Sequence, residues 1–246
     1  MTKKLSVFAL ILGGMVAFTG LFIIFRPNIR VTVVESVVDD VDVIPATPEP
    51  TLSPEDDPRF SDLDSNLLLA NKKHPLPDGY IPDDLREMDI YTAGALCEMR
   101  EEAAKHMEDM FAAALKDGVQ LVCASAYRSE ERQLSLYSGY VKEGGQDFAD
   151  SVSSRPGYSE HQTGLAADLS YQVNEGFADT PQGQWLAAHA HEYGFILRYP
   201  KGKEDITGFD FEPWHFRYVG MEYAKDIYRS GQCFEEYFGL EGGDYK

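Results

Sequence analysis

The feature that most constrains this chain is an apolar run of 21 residues near its start, Leu5–Phe25, which contains no charged side chain. As a helix, such a run would extend about 30 Å, the thickness of the hydrocarbon core of a bilayer. The alternative is a cleaved signal peptide, whose apolar stretch is usually only about 7–15 residues long. No small-x-small cleavage site or lipid-attachment cysteine follows closely. We therefore predict an uncleaved membrane anchor over residues 1–30.

The charges around this run leave its orientation weakly specified. Lys3 and Lys4 precede it, whereas Arg26 and Arg30 follow it, and orientation depends on an imbalance of such charges. Because the chain beyond the run is large and acidic, we expect the N-terminus inside and the remainder outside. The predicted protein is a single-pass protein of the cell membrane with its folded domain on the extracellular side.

Residues 31–70 have the composition of a spacer. Residues 31–65 contain ten acidic residues and a single basic one, Arg59. Several prolines are mixed with these acids: Pro45, Pro48, Pro50, Pro54 and Pro58. Such segments are extended, and their charges repel one another. We predict a disordered acidic linker over residues 31–70, although Val31–Val43 could instead form a short strand that has no obvious partner nearby.

Residues 71–246 are predicted to form one α+β domain. The apolar spacing and the glycine, proline and serine signals predict four helices, over 94–116, from Ser129 to about Lys142, from Thr180-Pro181 to Gly194, and over 220–230. Strands are predicted over 119–126, 164–171, 195–200 and 212–219. Because helices and strands mix without strict alternation, we expect a central, mainly antiparallel sheet flanked by helices.

The net charge of −19 argues against nucleic acid as a partner. A nucleic-acid-binding protein needs a basic face that displaces counterions from phosphates. The three cysteines are too few for a disulfide scaffold, and their odd number leaves at least one as a buried thiol. We expect a monomer.

Two segments carry the clearest chemistry, SEHQTGLAAD at 159–168 and EPWH at 212–215. A catalytic zinc ion takes about three protein ligands and keeps one position open for water. His161, Asp168 and His215 can supply two imidazoles and one carboxylate. His161 precedes the predicted strand 164–171 and Asp168 lies within it, so a turn could bring both side chains to one ion.

Spacing alone leaves an ordinary polar role as the alternative, because the stronger H-E-x-x-H helix signal is absent. Glu212 and His215 would point to opposite faces of an ideal strand, but Pro213 favours a bend that could bring both inward. The remaining histidines are predicted to be ordinary surface or packing residues: His74, His106, His189 and His191.

The pattern S-x-H-x-x-G-x-A-x-D followed by E-x-W-H resembles the VanY-type D-alanyl-D-alanine carboxypeptidases, zinc peptidases of peptidoglycan. The segments SAYRS (125–129), RPGYSEHQTG (155–164) and GFILRYP (194–200) also match in the same order, so the resemblance covers roughly residues 75–235. It implies one zinc ion per chain, held by His161, Asp168 and His215. It further implies that Glu212 is the catalytic base and that Arg128 binds or polarises the substrate.

The resemblance also places Gln133 and Ser159 on the substrate side. Arg128 could clamp the substrate's terminal carboxylate or stabilise the oxyanion that develops during hydrolysis. Without the resemblance, a surface salt bridge to Glu130 or Glu131 would be the better interpretation of this arginine. The sequence does not decide between these roles.

The implied function is removal of the terminal D-alanine from peptidoglycan stem peptides by a zinc D,D-carboxypeptidase tethered on the cell-wall side of the membrane. A serine peptidase acting on the same bond is disfavoured, because the chain has no S-x-x-K and no K-T-G motif. The alternatives are an L,D-carboxypeptidase or endopeptidase of peptidoglycan, or a non-catalytic module that binds wall peptides. A protein whose acidic surface serves only partner binding is a further, weaker alternative.

Overall fold

A three-stranded antiparallel sheet, packed against helices on both faces, organises the part of the chain that this computed structural model describes, residues 53–94, 96–171 and 173–245. The strands are β1 (Leu85–Glu87), β2 (Glu98–Arg100), β3 (Ala166–Asp168), β4 (Phe195–Leu197) and β5 (His215–Tyr218). The α-helices are α1 (Glu101–Lys116), α2 (Glu130–Gly144), α3 (Gln146–Val152), α4 (Pro181–His189), α5 (Glu204–Thr207), α6 (Met221–Ser230) and α7 (Phe234–Phe238). The predicted α+β class is confirmed.

The predicted central sheet is divided into two small antiparallel sheets. One has the strand order β3-β5-β4, and the other contains β1 and β2. Successive residues of β4 face opposite sides, as the period of a strand requires. Phe195 packs in the cluster built around α1, whereas Ile196 packs with α6 and α7 in a second cluster. The three cysteines are buried free thiols in this core: Cys97, Cys123 and Cys233.

Local sequence signals account for the starts of two helices. The Ser129 hydroxyl caps α2 by accepting a hydrogen bond from Arg132 N, as predicted from its position before Glu130. The Thr180 hydroxyl caps α4 in the same way, accepting from Gly183 N. These caps satisfy amide groups that lack a partner inside the helix.

Two predicted elements differ from the observed ones. The helix predicted over 94–116 begins at Glu101, because Glu98–Arg100 pairs with Leu85–Glu87 as a strand, and Leu96 is 61% exposed. The strand predicted over 119–126 is not formed, because this segment pairs only at isolated residues. Cys123 pairs with Thr92 on one side, and Ser125 pairs with Asp168 on the other.

The folded domain begins before the predicted boundary at residue 71. Phe60 is buried against α7, with its ring 6.2 Å from the Phe234 ring and 5.1 Å from the Phe238 ring. Leu67–Leu69 is buried as well. An apolar side chain in a linker is expected to join a core where one lies within reach, because burial removes its surface from water. The proposed anchor at 1–30 and residues 31–52 lie outside the described residues. Within the described residues, no helix is long and apolar enough to cross a membrane.

The Phe60→Ala substitution is expected to lower the free energy of unfolding by about 3–5 kcal/mol, the usual cost of deleting a buried phenylalanine ring. Denaturant unfolding of the two proteins measures this difference. Leu63→Ala is the matched control, because Leu63 is 37% exposed and its loss should change stability little. An equal, small effect of both substitutions would show that the segment before Ser65 is not part of the domain.

Candidate metal centre and catalytic cleft

The antiparallel pairing of β3 and β5 brings two candidate ligands face to face. Asp168 ends β3, His215 begins β5, and the register pairs them directly. The Nδ1 atom of His215 lies 3.1 Å from Oδ1 of Asp168. His161 approaches from the 3₁₀ turn Glu160–Thr163, and its Nε2 atom lies 3.3 Å from Oδ2 of Asp168. The three predicted ligands are therefore buried together, with their ligand atoms within 4.8 Å of one another.

The protonation of His161 leaves a lone pair facing a carboxylate. The Nδ1–H group donates to the carbonyl of Ala126 at 2.7 Å. Burial, and next the Arg128 guanidinium, lower the pKa of His161, so the ring is neutral. Burial alone would raise the pKa of Asp168, but the hydrogen bond and positive charge of His215 hold it well below its ordinary value. Two acceptors face one another at 3.3 Å, an arrangement that a shared cation would stabilise.

His215 lies between two carboxylates, Asp168 on one side and Glu160 on the other. Burial by itself would lower the pKa of His215, but the two carboxylates raise it to about 9. A metal ion and this proton compete for the same nitrogen, so metal binding would release the proton. Two imidazoles and one carboxylate match the ligand set that zinc takes at catalytic centres. The donor chemistry of the site therefore fits zinc.

Glu212 lies in the turn that leads into β5. Its amide donates to the carbonyl of Tyr199, and its carbonyl accepts from the amide of His215. Because β5 begins only at His215, the two side chains need not obey the alternation of a strand, and Oε2 of Glu212 lies 3.8 Å from Nδ1 of His215. Only 16% of the Glu212 side chain is exposed, and this burial raises its pKa to about 7. A carboxylate in this range can accept and release a proton near neutral pH.

Arg128 is fixed at the rim of the ligand cluster. Its guanidinium donates to Oε1 of Gln133 at 2.8 Å and to the Ser125 hydroxyl at 2.9 Å. It also lies 3.6 Å from Oδ2 of Asp168. Burial lowers the pKa of Arg128, but an arginine stays charged at neutral pH. The side chain of Glu130 instead accepts from the amide of Gly79, so the structure places Arg128 in the site and not in a surface ion pair with that residue.

The structure separates the two predicted substrate-side residues. Ser159 is buried and lines the cleft beside His161. Gln133 is 0% exposed and lies behind Arg128. Its amide also donates to the Ser153 hydroxyl and to a backbone carbonyl. Gln133 therefore orients Arg128 and does not form part of the cleft wall.

The three candidate ligands border a cleft of about 540 Å³ together with Arg128, Ser159 and Glu212. Its wall also contains residues that carried no predicted role, chiefly Ser125, Glu160 and Tyr199. The first two belong to the matched segments 125–129 and 155–164, and an acid placed directly before a ligand histidine was the available signal for Glu160. The other histidines lie elsewhere, as predicted: His106 stacks on Tyr218 and His191 on Tyr228.

Several known proteins are similar to this chain in sequence. The family model described as VanY, D-alanyl-D-alanine carboxypeptidase, matches residues 97–221. The protein YodJ of Bacillus subtilis is 43% identical over 181 residues, which cover 70% of this chain and 66% of YodJ. The chain thus spans just under two thirds of the length of that relative.

Two solved structures are also similar to this chain. The LdcB LD-carboxypeptidase, solved in a study of peptidoglycan recognition, superposes with a TM-score of 0.69 at 41% identity. The match covers 74% of this chain and 89% of the LdcB chain. A variant of the vancomycin-resistance D,D-pentapeptidase VanY, solved in complex with Zn(II), superposes with a TM-score of 0.60 at 34% identity. That match covers 70% of this chain and 98% of the VanY chain.

Proposed function

We infer, since the chain belongs to the VanY family of D-alanyl-D-alanine carboxypeptidases, that it is a zinc-dependent D,D-carboxypeptidase. Its proposed reaction is hydrolysis of the terminal D-alanine from peptidoglycan stem peptides. The observation that carries this proposal is the convergence of the His161, Asp168 and His215 side chains with Glu212 and Arg128 in one cleft.

The proposed cofactor is one zinc ion per chain, held by His161, Asp168 and His215. When bound, zinc supplies a Lewis acid that activates water and polarises the scissile carbonyl. Glu212 accepts the proton of the attacking water and delivers it to the leaving amine. Its raised pKa suits both steps.

Arg128 supplies the fixed positive charge of the cleft. Its partners Ser125 and Gln133 hold the guanidinium before substrate arrives, so little reorganisation accompanies the reaction. In one role it pairs with the terminal carboxylate of the substrate in a bidentate fashion. In the other it stabilises the oxyanion that develops on the scissile carbonyl. Both roles need a cation held beside the ligand cluster, and the Arg128 position satisfies this requirement.

L,D-carboxypeptidase activity is the second candidate. It is favoured by the match to the LdcB structure, which has a higher identity and TM-score than the match to VanY. A non-catalytic peptide-binding module is disfavoured because the base Glu212 is present together with all three ligands.

Mass spectrometry of defined muropeptides after incubation with the protein tests the proposal. A D,D-carboxypeptidase shortens a stem pentapeptide by one D-alanine and leaves the tetrapeptide intact, and a chelator abolishes this activity. Loss of D-alanine from the tetrapeptide would instead establish L,D activity. No cleavage of either peptide by the zinc-loaded protein would contradict both assignments.

We further propose that Leu5–Phe25 anchors the protein in the cell membrane and that the acidic segment after it holds the domain on the cell-wall side. The support is the length of the apolar run and the charge and proline content that follow it. We expect the full-length protein to fractionate with membranes and to resist alkaline extraction. The N-terminus of the mature protein from native cells is the deciding measurement. A new N-terminus just after Phe25 would show a signal peptide and a secreted enzyme.

A further inference from the structure

The Nε2 atom of His215 has a partner of its own, the side chain of Glu160. Glu160 lies directly before His161, in the 3₁₀ turn that carries this ligand. Its Oε2 atom is 3.3 Å from Nε2 of His215, on the side of the ring opposite Asp168. All three side chains are buried. Because Glu160 accepts at Nε2, the Nδ1 atom of His215 is the nitrogen left to bind an ion.

The second oxygen of Glu160 is held by two arginines. Oε1 accepts from Nε of Arg198 at 2.7 Å and from Nη1 of Arg217 at 3.1 Å. Both arginines are completely buried. A rotation of the Glu160 carboxylate would break two charge-assisted hydrogen bonds between buried groups, where such bonds are strong. The oxygen that faces His215 is therefore fixed in direction.

The two arginines are held in turn by further partners besides Glu160. Arg198 forms a two-bond ion pair with Glu235 at the start of α7. Arg217 donates to the backbone carbonyls of Asn66 and Leu68. The network thus connects α7 and the segment before β1 to one face of the metal centre.

Stability is a poor explanation for this arrangement. Removing charges from water costs several kcal/mol per ion, and a buried ion pair often stabilises a fold no better than apolar residues of the same volume. Such a network does impose a unique geometry. A carboxylate that does not touch the metal, but accepts a hydrogen bond from a metal-bound imidazole, orients the ring and raises its basicity.

We propose that Glu160 is a positioning residue for the metal centre, which accepts a hydrogen bond from Nε2 of His215 and thereby directs Nδ1 toward Asp168. This inference rests on the proposed zinc dependence. The two imidazoles are then oriented by different means, His161 by the backbone carbonyl of Ala126 and His215 by a side chain. Side-chain substitution can therefore perturb the orientation of His215 alone.

The test compares Glu160→Gln with Glu235→Gln in the full-length chain. Both substitutions remove one carboxylate charge from the same buried network, but only Glu160 contacts His215. The readouts are the zinc dissociation constant from chelator competition, the ¹⁵N resonances of the His215 ring in the zinc-loaded protein, and the Tm of the metal-free protein. Glu160→Gln should weaken zinc binding by about 10–100-fold and shift the Nε2 resonance. Glu235→Gln should lower Tm at least as much, yet bind zinc like the unchanged chain.

A second variant covers the case in which Glu160→Gln does not fold. Glu160→Asp keeps the charge beside Arg198 and Arg217 but shortens the side chain, so it should fold and still weaken zinc binding. The proposal is overturned if either Glu160 variant binds zinc normally with an unchanged His215 resonance. It is also overturned if the Glu160 and Glu235 variants lose zinc affinity equally. Failure of the unchanged chain to bind zinc would instead contradict the proposed function from which this inference starts.

Discussion

Replacing Glu212 by glutamine is expected to lower kcat for hydrolysis of a D-Ala-D-Ala peptide by about 10²-fold or more, with zinc content and fold retained. The amide keeps the size and polarity of the side chain but cannot accept a proton. The Glu212 carboxylate lies 3.8 Å from Nδ1 of His215 and is not one of the three clustered ligands. Steady-state kinetics, combined with zinc analysis of the same preparation, measures both quantities.

The matched control is Glu222→Gln, the same substitution at an exposed position at the start of α6. It should leave kcat and zinc content unchanged. A near-normal kcat in Glu212→Gln would mean that another group moves the proton. A loss of zinc in that variant would mean that Glu212 acts as a ligand and that its assignment as the base is wrong.

Removal of any one candidate ligand should lower activity at least as much as Glu212→Gln does. His161→Ala, Asp168→Ala and His215→Ala should each lose most of their zinc. Activity should fall by about 10³-fold or more, because a Lewis acid contributes several kcal/mol of transition-state stabilisation. The unchanged protein should hold about one zinc ion per chain, and prolonged chelation should reproduce the loss of activity until zinc is restored. Elemental analysis and peptide hydrolysis are the measurements.

His189→Ala serves as the control for these variants. His189 is partly exposed on α4 and pairs with Glu192, so its loss should change neither zinc content nor activity. Full zinc occupancy in all three ligand variants would overturn the ligand assignment. If only one or two of the variants lose zinc, each residue whose replacement leaves zinc bound does not coordinate the ion directly.

The starts of several helices follow from short stretches of sequence. Ser129 before two glutamates predicted the start of α2, and Thr180 before Pro181 predicted the start of α4. These signals act within three or four residues, because a capping side chain bonds to an amide only two or three positions away. The helix predicted over 220–230 is also observed, as Met221–Ser230.

Segments whose structure depends on distant partners were predicted less well. Residues 119–126 have the apolar content of a strand, but their neighbours, Thr92 and Asp168, offer only single pairings. Phe60 stands in an acidic, proline-rich stretch, and its burial depends on α7, more than 170 residues later. Composition describes a segment on its own and carries no information about which surface it will meet.

The sequence by itself determined which residues could perform the chemistry, since His161, Asp168, His215, Glu212 and Arg128 stand in two specific motifs and one matching segment. Only the tertiary structure decided how they act together. The β3–β5 register sets Asp168 opposite His215, and the contacts of each imidazole decide which of its nitrogens faces the centre. Register and hydrogen-bond direction depend on the packing of elements far apart in the chain. For that reason the sequence identified the candidate ligands, whereas the fold determined the orientation of their side chains and the position of Glu160 beside His215.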